Sequence, residues 1–225
     1  MQTRRDIIFI GLSAIPALAA DFWKAKKSGE WSDKEIQRLL TKSPWAKEAS
    51  VEFNMQGMEG MGGPPGGGPP GGGPGGGPEG GMPPMSATVI WESAPPIRAA
   101  RKKDPTGMAE NTYILSISGL PMMGGRGPRG GGGPQGAPNP ERMNGMMGRL
   151  KEGCRLERKG KDPLACTGVQ REEGDAQRIL FLFEAGSQPV DLDDKEINFV
   201  ARMGPLEIRS KFIPKEMVFE SKLAV

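Results

Sequence analysis

Apolar and polar residues alternate along several short stretches of the chain, and these set the first expectations about its structure. Val51, Phe53 and Met55 alternate with Glu52 and Asn54 in ASVEFNM, as a half-buried strand does. SATVIWES (86–93) resumes a strand, and TYILSISGL (112–120) is apolar on both faces around Ile114 and Leu115, which predicts a central strand. RILFLFE (178–184) is the most continuously apolar run, and EINFVARM (196–203) and LEIRSKF (206–212) alternate on either side of a Gly204-Pro205 turn. MVFESKLAV (217–225) completes the run of strands. Between Trp31 and Trp45 the period changes to that of a helix. Ser32 and Glu35 have capping-box spacing, Trp31 stands where a hydrophobic staple meets Ile36, and Ile36, Leu39 and Leu40 form one narrow stripe. Local physics thus predicts Trp31 and Trp45 as parts of a lid on the protein's own sheet, with a docking face as the competing reading.

Further helices are expected from Pro95 to about Lys102, with Ser93 as its cap, and from Asn139 to about Gly153. Strands 154–159 and 164–169 should form a hairpin around a turn at Gly160 to Pro163. The fold class expected is α+β: a single β-rich domain with a βαβ-like middle, an antiparallel sheet or sandwich in the C-terminal half, and short helices at the N-terminus and middle.

Composition changes the picture in two places. Much of the Gly 35 and Pro 22 lies in segments 57–84 and 121–138, which predicts two disordered Gly/Pro-rich inserts interrupting the core at 20–56, 85–120 and 139–225. The glycine frame breaks at Pro69, which excludes a collagen helix. At the start, Arg4 and Arg5 precede an apolar run from Ile7 to Leu18 and small residues at Ala17 and Ala19, the layout of a signal peptide over 1–19. The export route is open between the general and the twin-arginine pathway. The run is shorter than a membrane-spanning helix needs, so no membrane span is expected after signal removal, and the protein is expected in the periplasm, at the cell surface or outside the cell.

Charge and chemistry narrow the function classes. The formal net charge of +3 drops to about +2 without Arg4, Arg5 and Asp6, too small a surplus to predict nucleic-acid binding. The chain has no histidine, which removes imidazole bases, histidine-dependent nucleophiles and histidine-ligated metals. Cys154 and Cys166 face each other across the predicted hairpin, which points to a disulfide in an oxidising compartment, with two unpaired thiols as the alternative. Asp191, Asp193, Asp194 and Glu196 fail the EF-hand pattern at its fifth, sixth and twelfth places and are expected in a solvated turn.

FWKAKKSGEWSDKEIQRLLTKSPWAKEASV, VIWESAPPIRAA, YILSISGLP and the run from DKEINFVARM onward resemble a group of uncharacterised exported proteins common in soil acidobacteria. The likeness spans nearly all of the non-repetitive chain and is most specific from Trp31 to Lys47. It implies export and a single interrupted domain, and brings no activity with it.

The leading functional expectation is an exported non-catalytic envelope or extracellular domain with no cofactor, a binding or structural module for an unknown protein or envelope component. The first alternative is soft-metal binding. Met55, Met58 and Met61, then Met82 and Met85, recur every third residue, and thioether sulfur suits Cu(I) or Ag(I). The second alternative is a carboxylate-dependent hydrolase, for which Glu92 and Glu110 are the candidate pair.

Overall fold

The computed structural model describes residues 21–53, 86–105, 107–120, 140–172 and 178–225. The signal segment 1–19, the inserts 57–84 and 121–138, and Met55, Met58, Met61, Met82 and Met85 lie outside the described residues.

Eight antiparallel strands close into a barrel in the order β1-β2-β3-β6-β5-β4-β7-β8, with β8 returning to β1. They are β1 (Ala46–Phe53), β2 (Ala87–Trp91), β3 (Thr112–Ser118), β4 (Cys154–Arg158), β5 (Lys161–Arg171), β6 (Ile179–Glu184), β7 (Ile197–Met203) and β8 (Leu206–Phe212). The helices are α1 (Phe22–Ala25), α2 (Asp33–Thr41), α3 (Pro95–Arg101) and α4 (Pro140–Glu152), and a two-stranded hairpin, β9 (Val218–Phe219) with β10 (Lys222–Leu223), follows the barrel.

This closure corrects the expected open sheet or sandwich in the C-terminal half. Two strands belong to both sides of the barrel. Ala46–Ala49 of β1 pair with β2 whereas Ser50–Phe53 pair with β8. Likewise the first half of β5 pairs with β4 and its second half with β6. A bulge at Thr167, between the Cys166↔Phe183 and Gly168↔Leu182 pairs, lets β5 turn that corner. The C-terminal half is not a unit either, because β6 pairs with β3 over six residues. Nor is the middle a βαβ unit: β2 and β3 are antiparallel neighbours, and α3 spans them without a crossover.

The barrel interior is filled by side chains, as an eight-stranded barrel of this size allows. Ring contacts cross it between strands that are not neighbours: Phe181 to Phe199 at 5.5 Å and Trp91 to Phe212 at 5.4 Å. Tyr113 stacks edge-on against Trp91, and Phe183 against Phe199. All six are buried.

The outward face reverses this chemistry. Across β4, β7 and β8 runs a ladder of ion pairs, Arg202 to Glu207 to Arg209 to Glu157 to Arg155, and Lys211 meets Glu196 on the neighbouring strand end. A lipid-facing barrel is apolar outside and polar inside, and each Arg or Lys at the bilayer midplane costs about 2–4 kcal/mol. This wall has the opposite pattern. On the β2-β3-β6 side, the outward-facing Ile114, Ser116 and Leu180 are buried.

The two ends of the barrel differ. Where β1 begins, α1 and α2 bring a chain of edge-on rings, Trp45 to Trp23, Phe22, Trp31 and then Phe219 of β9. Trp31 and Trp45 are both buried, and the Trp45 indole N–H donates to the Ala224 carbonyl at 2.6 Å. The capping box forms: the Ser32 hydroxyl accepts from the Glu35 N–H, and the Glu35 carboxylate accepts from the Ser32 N–H. Ser93 does not cap α3. Ala94 occupies that place, and the Ser93 hydroxyl accepts from the Ile114 N–H of β3 at 3.1 Å.

Candidate functional site

The opposite rim gathers every break in the described chain within the barrel except Thr106. Segment 54–85 leaves after Phe53 and returns at Ser86, segment 121–139 leaves after Leu120, and segment 173–177 joins the end of β5 to the start of β6. The pairing fixes these roots side by side: Thr88 opposite Ser118, Ile117 opposite Ile179, and Ile179 opposite Arg171. The β2 and β3 roots touch. Gly119 turns away with φ +86°, a conformation that favours glycine, and a Cβ there would stand a tight 3.2 Å from the Ser86 carbonyl.

Also toward this rim, α4 delivers the chain to β4. Arg155 opposes Ala165 in the β4–β5 ladder, and one residue further the register sets Cys154 against Cys166. Both are free thiols and both are buried. The two thiols act directly on each other, and Cys166 Sγ donates to the Gly168 carbonyl at 3.1 Å. Burial pushes the Cys154 thiol up. The hydrogen bond from Cys154 holds Cys166 below the ordinary thiol range against its own burial. The hairpin turn is tighter than expected: it lies at Lys159-Gly160, and Pro163 is within β5.

A buried ionic cluster lies outside the barrel wall under the residues that follow β2. Glu92 is 3% exposed. The Arg101 guanidinium donates to it twice, at 2.6 and 2.7 Å, and the Ser116 hydroxyl donates at 2.6 Å. Arg178 stands 3.6 Å from Glu92 and 2.8 Å from Glu172, which also accepts from Lys103. Burial raises the Glu172 carboxyl, but the Lys103 hydrogen bond and the charges of Arg178, Lys103 and Arg101 outweigh it and leave it below the ordinary carboxylate range. The recess between these groups leaves no room for a water molecule. Glu92 is thus committed to arginine, while Glu110 is exposed in the turn before β3. A carboxylate held by an arginine fork in a recess without room for water has no space to act on one as a general base.

The acidic run 191–196 is only in part the solvated turn expected of it. Asp191 accepts from the backbone N–H groups of Asp193 and Asp194, and Asp194 is buried. Lys161 bridges both carboxylates at 2.8 and 2.9 Å and is held above its ordinary pKa by those bonds, first by Asp191. Arg158, donating to the Gln188 and Asp162 carbonyls, and Tyr113, accepting from the Val190 N–H, fasten the same loop. Among the described residues no group of three or more His, Cys, Asp or Glu is placed to hold a metal.

The ionic cluster is what sequence reasoning missed. Its one signal was a glutamate, Glu92, ending an apolar strand in VIWES, with Arg101 nine residues further on at the end of the helix predicted from Pro95. No known protein family, curated protein or solved structure matches the chain.

Proposed function

We propose that the chain is an exported, non-catalytic display module: a water-facing barrel that holds its two Gly/Pro-rich segments at one rim for contact with a protein or envelope component. The observation that carries this reading is the common rooting of 54–85 and 121–139 on neighbouring strands of a single rim, with Gly119 against Ser86. Supporting it, the other end is covered by the protein's own aromatic residues, and the barrel interior is occupied by side chains. Rigid strands with long connections at one end are a common way to place binding segments.

The test removes 57–84 and 121–138, separately and together, and measures both folding and cosedimentation with isolated cell envelopes. The expected result is an unchanged, cooperative melt with loss of envelope binding. Loss of folding, or binding that persists without both segments, overturns the reading.

A second reading is Cu(I) or Ag(I) binding by the methionines. It is favoured by the roots: the two ends of the segment carrying Met55, Met58, Met61, Met82 and Met85 are anchored on adjacent strands, and Met146 is exposed on α4. A Cu(I) competition titration tests it, and equal affinity in a chain with Met55, Met58 and Met61 changed to leucine ends it.

A further inference from the structure

We propose that Cys154 and Cys166 form a redox couple in which Cys166 attacks a small-molecule disulfide and Cys154 resolves the adduct, stapling β4 to β5. This goes beyond display at the rim and is independent of it, since no segment residue takes part.

Three observations carry it. First, residues directly opposed on antiparallel strands have Cα atoms about 4.5 or 5.5 Å apart, and a disulfide accepts roughly 4.4–6.8 Å, so the bond forms without moving the strands. Second, the register puts both side chains on the same face of the hairpin, where the two thiols act directly on each other. Third, the pair is reachable. A recess of about 290 Å³, lined by Lys151, Glu152, Arg155 and Pro163 beside the two cysteines, opens to solvent over the buried thiols. Arg155 at its wall is engaged by Glu157 and Glu152 stands beside Lys151, so the recess does not select the charge of the disulfide, and oxidised glutathione serves as the probe.

The environments divide the roles. Cys166 is the more exposed of the two, 5% against 3%, lies at the recess, and has the charge of Lys151 nearby to favour its thiolate. Cys154 is the more strongly desolvated and keeps its proton. The Cys166 thiolate attacks one sulfur of RSSR; that S–S bond breaks and RS⁻ leaves, taking up a proton as RSH. Cys154 then gives up its proton and attacks Cys166 Sγ in the mixed disulfide, and the second RS⁻ leaves as RSH. In total, two protein thiols are oxidised to one disulfide and RSSR is reduced to two RSH.

The reduced chain is incubated in excess oxidised glutathione, quenched in acid, alkylated under denaturing conditions and weighed intact. The expected wild-type product has lost two hydrogens and takes up no alkyl group, and it melts roughly 5–10 °C above the reduced form. Cys154→Ser should trap one glutathione on Cys166 roughly ten-fold faster than Cys166→Ser acquires one on Cys154. Wild-type protein that is alkylated twice, that carries glutathione on both cysteines, or that melts no higher when oxidised overturns the staple. Equal trapping rates in the two variants overturn the order of attack.

Discussion

Glu92 and Arg101 show how much depends on single residues outside the barrel interior. A carboxylate this buried is tolerated because Arg101 forks onto both of its oxygens and Ser116 donates a third bond. Arg101→Ala removes the fork and leaves the charge in place. The expected loss is about 3 kcal/mol, at the low end for a broken buried pair because Arg178 and Ser116 remain. Urea denaturation measures it, and Glu92→Gln combined with Arg101→Ala should recover part of the loss, because the stranded charge is gone. Glu92 stood out beforehand only as one of a candidate carboxylate pair with Glu110, and its arginine partners did not. A glutamate ending an apolar strand reads as a cleft carboxylate as easily as a paired one, and one of its partners, Arg178, comes from the residue before β6, far along the chain.

At the scale of the element, α2 is the part most fully specified by its own residues. Its capping box, its stripe and the staple at Trp31 are all local features, and the helix forms at Asp33–Thr41 where they place it. Ser32→Ala should therefore destabilise the protein by about 1 kcal/mol, seen as a melting point lower by roughly 2–4 °C. The cap also responds to pH. The hydrogen bond from Lys26 first, then those from the Ser32 backbone and side chain, lower the Glu35 pKa from 4.5 to about 2. A carboxyl with a depressed folded-state pKa stabilises fully above its unfolded value, and the contribution fades as pH falls through the folded one. The stability difference between wild type and Glu35→Gln should thus be constant above about pH 5 and disappear toward pH 2. Denaturation midpoints measured across that range check the sign. The strands were legible for the same local reason, since alternation is written residue by residue. Ser93 was misread because a serine before a helix can also accept from a neighbouring strand, and that strand is 21 residues away.

For the whole molecule, alternation fixes which face of each strand is apolar and says nothing about which edges meet. That is why an open sheet or sandwich was expected and a closed barrel is found. The information lies in two strands whose halves pair with different neighbours: β5, with eleven residues and a bulge, and β1, which changes partner between Ala49 and Ser50. The candidate site was less legible still, because the rooting of distant segments on one rim follows from strand order alone. A strong expectation attaches to β8, which completes ladders with both β7 and β1. A chain ending at Gly204 should lose the whole barrel and not a single strand, with collapse of near-UV circular dichroism. Retention of a cooperative melt in that truncation would mean that the remaining seven strands close without it.

The seam between β1 and β8 also sets a timetable. Ser50 reaches the carbonyl of Arg209, 159 positions further on, so the first barrel strand made waits for the last before its second edge is covered. While it waits, that edge offers unpaired N–H and C=O groups to any other extended chain, the situation that leads to aggregation. Long-range closure of this kind also places barrels among the slower folders, on the scale of milliseconds to seconds. A chain delivered residue by residue across a membrane would spend its whole transit with that edge open and would need a holding partner on the far side. A chain delivered already closed would not.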